Sequence, residues 1–181
     1  YDITTRLVGS EMCIRDRSMV VSATTLSFAQ QVERPNIVIV LADDLGWGDV
    51  GFHGSEIKTP CLNALAAEGV VLDRFYTAPI STPTRAGLMT GRYPNRFGIR
   101  TTVIPPWRED GLDENEETLA DMLARNGYSN RAIIGKWHLG HTRKVHYPIN
   151  RGFSHFYGHL NGAIDYFDHC LLYTSPSPRD A

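Results

Sequence analysis

Three separated stretches of this chain carry residues whose chemistry is complementary. Asp43 and Asp44 close the apolar run PNIVIVLADD (35–44), Ser81 heads STPTRAGLMTGRYP (81–94) with Arg85 four residues on, and Lys136 and His138 stand two apart in GKWHLGH (135–141). Paired carboxylates suit a hard cation, which wants several oxygens. A serine hydroxyl at a helix start sits where exposed N–H groups and the positive end of the helix dipole favour an anion such as sulfate or phosphate. Arg85 could hold an anionic oxygen. Lys136 and His138 face the same way on an extended segment and could supply positive charge and a proton donor. Each feature also has a plain structural use: a turn or cap for the aspartates, a second cap hydroxyl for Ser81, solvated surface for the basic residues. Together they form the inventory for attack on a tetrahedral anionic ester: a metal to neutralise charge, a nucleophile, and an acid for the leaving group.

The elements that would position these groups alternate between strand and helix. The run 35–44 is rich in Ile and Val and reads as a strand buried on both faces, as in a parallel sheet. A glycine-rich loop (46–55) follows. TPCLNALAAEG (59–69) reads as a helix with Thr59 as N-cap, Pro60 at its first position and Gly69 as its stop, with Leu62, Leu65 and Ala66 on one face. VVLDRFYTA (70–78) is a second expected strand. Thr82 then caps and Pro83 starts a helix ending at Gly91. After a polar loop over roughly 92–116, TLADMLARNGY (118–128) carries a Thr-x-x-Asp capping signature and a terminating Gly127. RAIIG (131–135) is the third expected strand, and the chain from 142 onward reads as aromatic loop. This order predicts an α/β fold with a mainly parallel sheet sandwiched by helices. In such sheets ligands gather beyond the carboxyl ends of the strands, where Asp43, Asp44, Ser81, Lys136 and His138 would meet.

With 181 residues, 42% of them hydrophobic and 21% charged, the chain has room for one globular domain. A net charge of −2 with scattered basic residues gives no nucleic-acid footprint, and no apolar run is long enough to span a bilayer. The ends, 1–17 and 170–181, lack periodicity and read as translated sequencing adapters, outside the fold. Cys13 and Cys170 lie in them, which leaves Cys61 alone and no disulfide framework. Residues 18–30 read as the remainder of a secretory signal peptide with a small-x-small site at Ser27-Phe28-Ala29, so a periplasmic or secreted location is expected. The credible domain is 34–169.

These motifs resemble the sulfatase family. Its signature is Cys or Ser, x, Pro, x, Arg, then Thr-Gly-Arg, and STPTRAGLMTGR fits it at each defined position. IVIVLADDLGWGD (37–49), GKWHLG (135–140) and RGFSHFYGHLNGAIDYFDH (151–169) agree in order, the last looking most like the arylsulfatase B-like branch. The resemblance implies an alkaline phosphatase/sulfatase-like fold. It implies that Ser81 is oxidised after translation to formylglycine, whose hydrate attacks the sulfur of a sulfate ester. It also implies calcium held by Asp43, Asp44 and the residue-81 oxygen, Arg85 steadying the hydrate, Lys136 contacting the sulfate and His138 the second hydroxyl. Partners implied are a sulfated small molecule or glycan and a radical-SAM maturase of the serine type. Further calcium and sulfate ligands known in the family have no counterpart here, so the resemblance implies an N-terminal part that is inactive alone. Ser154 stands where an acid is common. Two other readings remain: a phosphomonoester or phosphonate hydrolase on the same fold, using Ser81 directly or oxidised, and a non-catalytic sulfated-glycan-binding paralogue. The Pro-Thr-Arg and Gly-Lys-Trp-His strings favour the sulfatase.

Overall fold

The computed structural model describes residues 34–100, 102–165, 167 and 173–175. The expected leader at 18–30 and nearly all of both end segments lie outside the described residues. The chain divides into two units, 1–41 and 42–181. In the first, 34–41 form no strand, and Val38 and Val40 are 83% and 86% exposed. The expected buried strand at 35–44 is therefore corrected. A strand apolar on both faces forms only with hydrogen-bonded neighbours and cover on each side, and this segment joins no ladder among the described residues.

In the second unit, helix α1 spans Pro60–Glu68 as expected, with Pro60 at its first position. Thr59 holds the cap position but makes no cap bond: its hydroxyl donates to Asn63 Oδ1 (3.0 Å) and accepts from Gly51 N (2.8 Å). Leu62 and Leu65 on the apolar face of α1 stay exposed. The expected strand at 70–78 is also corrected: the segment is irregular and Val70, Leu72, Phe75 and Tyr76 are exposed, for the same want of a ladder. Helix α2 runs Ser81–Thr90, and Gly91 ends it in the left-handed region at φ 65°. It starts at Ser81, with Ile80 in the cap position, so Thr82 is no cap. Its buried hydroxyl instead donates to His138 O (3.1 Å) and accepts from Ile104 N (3.3 Å). Helix α3, Leu119–Arg125, carries the expected capping box: Thr118 Oγ1 accepts from Asp121 N (3.2 Å) and Asp121 Oδ2 from Thr118 N (3.0 Å).

Strand β1 is Ala132–Lys136, as the sequence predicts. The reading of 142 onward as loop holds through 142–154 and 160–165 and is corrected at 155–159 and 173–175, which are strands. Strand β2, His155–His159, pairs parallel to β1 in the register Ala132↔His155 through Lys136↔His159, and β3, Tyr173–Ser175, lies antiparallel on its other edge. The β1–β2 crossover is made by short turns at Lys144–His146 and Pro148–Arg151. Ser154 ties the two strands where they begin: its hydroxyl donates to Arg131 O (3.1 Å) and accepts from Arg131 N (2.9 Å), a dual role closed to an ionised acid, which only accepts. The core gathers Ala86 and Met89 of α2, Ala120 of α3, Phe156 of β2, and Ile99, Ile104, Leu112, Trp137, Leu139, Phe153 and Leu160 around them. Burial of this apolar set is the main force holding α2 against the end of β1.

Candidate active site

The site forms where the N-terminus of α2 meets the carboxyl end of β1. Beyond Lys136 the chain stays locked to its neighbours. Trp137 is buried and its Nε1 donates to His146 O (2.8 Å), Trp137 N donates to His159 O (2.9 Å) and His138 N to Leu160 O (3.0 Å). His138 O takes the Thr82 hydroxyl. Held from both sides, His138 sits at φ 57°, a left-handed backbone that is uncommon outside glycine and that collects at functional positions. Lys136 and His138 do both reach the site, but through this turn and not through the extended backbone expected of them.

The His138 ring lies against Ser81, with Nδ1 3.1 Å from Oγ. Arg85, one turn into α2, donates from Nε to the same oxygen (3.2 Å) and from Nη1 to Lys136 O. Lys136 Nζ donates to Asp43 Oδ2 (2.7 Å), and Arg85 Nη2 stands 3.9 Å from that carboxylate oxygen. Five of the six residues singled out in the sequence thus form one connected set. Asp44 adjoins it at φ 55°, exposed, and its carboxylate makes no hydrogen bond or ion pair among the described residues.

The electrostatics follow from this packing. The hydrogen bond from Lys136 holds the Asp43 carboxyl below its usual range, against the burial that would raise it. Burial lowers Arg85, opposed by Asp43. Burial first, then the charges of Lys136 and Arg85, push His138 down to about 4, so its imidazole is neutral at pH 7. Ser81 Oγ therefore lies between a neutral imidazole and a guanidinium, at the positive end of a ten-residue helix. The arrangement suits a group that gains negative charge.

Sequence reasoning missed the loop His159–Gly162. A Cβ on Gly162 would lie 2.5 Å from His138 Cε1, so glycine is what lets this backbone lie on the imidazole. His159 ends β2 opposite Lys136, half-buried, its Nδ1 donating to Asn161 O (2.9 Å). Burial lowers its pKa as well, and its charge would in turn lower that of His138. The usable signal was the alternation in SHFYGHL: Phe156, Gly158 and Leu160 are buried while His155 and Tyr157 face out.

A calcium ion asks for about six to eight oxygen ligands. Asp43, Asp44 and the residue-81 oxygen offer the right donor chemistry, and Asp43 is already drawn to two cations. The described residues contain no cluster of three or more His, Cys, Asp or Glu able to hold a metal ion, so these oxygens could make at most part of such a site. No helix among the described residues is long and apolar enough to cross a membrane.

Comparison with known proteins bears on the family and the fold. The family described as Sulfatase matches residues 35–177. The mouse (Mus musculus) arylsulfatase J is 46% identical over 136 residues, 75% of this chain and 23% of that protein. The rat (Rattus norvegicus) N-acetylgalactosamine-6-sulfatase is 39% identical over 170 residues, 89% of this chain and 32% of that protein. The crystal structure of Ps i-CgsB superposes with a TM-score of 0.63 at 36% identity, covering 74% of this chain and 30% of that one. The chain thus spans about a quarter to a third of the length of the relatives it matches.

Proposed function

This chain belongs to the sulfatase family, and from that premise we propose that it forms the N-terminal part of a calcium-dependent enzyme that hydrolyses sulfate esters through a formylglycine hydrate made from Ser81. The observation that carries the reading is the convergence on Ser81 Oγ: His138 Nδ1 at 3.1 Å and Arg85 Nε at 3.2 Å, with Lys136 and Asp43 linked behind them. When present, the hydrate supplies a nucleophilic hydroxyl, and calcium, held by Asp43, Asp44 and the residue-81 oxygen, neutralises charge on the ester.

This chain's own residues do the rest. The N-terminus of α2 favours an anion at residue 81. Arg85 donates to the residue-81 oxygen and fixes it against β1 through Lys136 O. Lys136 offers a cation to the sulfate oxygens. His138 presents Nδ1 to the residue-81 hydroxyl and exchanges a proton there. A pKa of about 4 makes His138 a weak base for an unmodified serine, whose hydroxyl is a poor nucleophile. That supports the oxidised residue over direct attack by serine, as in a phosphomonoesterase of the same fold.

The substrate is an aryl or carbohydrate sulfate, the kinds named in the relatives, and the location periplasmic or secreted. A radical-SAM maturase of the serine type would read Pro83 and Arg85. The 34–169 segment alone is expected to be inactive, because its described residues hold no cluster of three or more His, Cys, Asp or Glu that would complete a calcium site. Co-expression with such a maturase tests the reading. The peptide containing residue 81 should lose two hydrogens and react with a hydrazide probe. Unmodified Ser81, with a control substrate fully converted, would refute it.

A further inference from the structure

Building on the sulfatase reading, we propose that His159 is a specificity-determining residue whose Nε2 accepts a hydrogen bond from a hydroxyl on the alcohol portion of the substrate. Such a contact selects hydroxylated, carbohydrate-type sulfate esters over plain aryl sulfates.

Position comes first. His159 pairs with Lys136 across the parallel β1–β2 ladder, and paired residues project to the same face about 4.8 Å apart. The ladder continues past both residues through Trp137 N→His159 O (2.9 Å) and His138 N→Leu160 O (3.0 Å), so the two strand ends are held in register at the site. A sulfate ester held at Lys136 would have His159, its partner on the next strand, as a neighbour.

The tautomer comes second. A carbonyl oxygen only accepts, so the 2.9 Å contact to Asn161 O requires the proton on His159 Nδ1. Nε2 is then a bare lone pair, and it has no partner among the described residues. The charges facing this ring are Lys136, Arg85 and Asp43, with His138 beyond them. Burial, with the charges of Lys136 and Arg85, lowers its pKa against the Asn161 hydrogen bond and Asp43, which raise it, and so favours the neutral ring. A neutral ring with an exposed lone pair repels sulfate oxygens and attracts an O–H donor, so it addresses the alcohol and not the anion. Gly162 lets the same loop rest on His138, which couples the reading of the alcohol to the position of the reacting group.

The test uses the complete reading frame that contains this chain, with residue 81 matured. Wild type, His159→Ala and His159→Gln are compared on 4-nitrophenyl sulfate, which has no hydroxyl, and on the 4- and 6-sulfates of galactose and N-acetylgalactosamine. Calorimetry in a Ser81→Ala background measures binding of the best sugar sulfate without turnover. In His159→Ala the ratio of kcat/KM for sugar sulfate over aryl sulfate should fall about tenfold, mostly through KM, with a matching loss of binding. His159→Gln should recover most of it, because its Oε1 accepts. An unchanged ratio overturns the assignment, and so does a wild type that turns over only the aryl sulfate. A wild type inactive on every sulfate ester overturns the sulfatase reading, and the role of His159 with it.

Discussion

Gly162→Ala isolates the packing that aims His138 at residue 81. The added methyl would lie 2.5 Å from His138 Cε1, 2.8 Å from Nε2 and 3.1 Å from Nδ1. Relief therefore requires a shift of about 1 Å somewhere, since ordinary contacts begin near 3.4 Å. The histidine backbone cannot provide it: His138 N and O are both bonded, and its φ of 57° leaves little room. If the loop backbone holds its place, the ring rotates away from Ser81 and the 3.1 Å contact is lost. Overpacking of this kind costs about 1–3 kcal/mol of stability. A displacement of about 1 Å at a reacting group costs on the order of 100-fold in rate. The assay is kcat on 4-nitrophenyl sulfate, using the complete reading frame with matured residue 81, beside urea unfolding of the same proteins. A stability loss with kcat within about twofold of wild type would mean that the loop yields and the ring stays. That would refute the claim that this glycine positions the histidine.

Thr82→Val keeps shape and removes the buried hydroxyl that joins His138 O to Ile104 N. It should lower unfolding stability by about 1–3 kcal/mol, and no measurable change in urea unfolding would contradict the role given to Thr82. The lowered pKa of His138 makes stability pH-dependent. The unfolded chain binds a proton between pH 6.5 and about 4 while the folded one does not, so this contribution is complete above pH 6.5 and is lost as pH falls toward 4. The loss, on the order of 3 kcal/mol, should be absent in His138→Gln, and an NMR titration placing His138 near 6.5 would remove its basis. Asp43→Asn should abolish calcium-dependent stabilisation of the complete protein, and an equal rise in Tm with calcium in the variant would reject Asp43 as a ligand.

Local chemistry in the sequence settled the local elements. The Thr118–Asp121 box set the start of α3, Pro60 and Gly69 bounded α1, and Gly91 ended α2. In each case the deciding interaction lies within a few residues, so it can be read from spacing alone. The signature around Ser81 likewise identified the family without any coordinates. Tertiary structure decided the rest. Apolarity at 35–44 and 70–78 states a need for burial, but a strand exists only when a partner completes its ladder, and neither segment is a strand here. Conversely, β2 became a strand because β1 lay parallel beside it. The site itself is long-range. Ser81 and His138 meet across 57 residues and Arg85 reaches the carbonyl of Lys136 across 51. No periodicity encodes such a distance. It is set by the packing of α2 on the end of β1, by a left-handed turn at His138 that two neighbouring segments hold, and by a glycine far along the chain that leaves room for the ring.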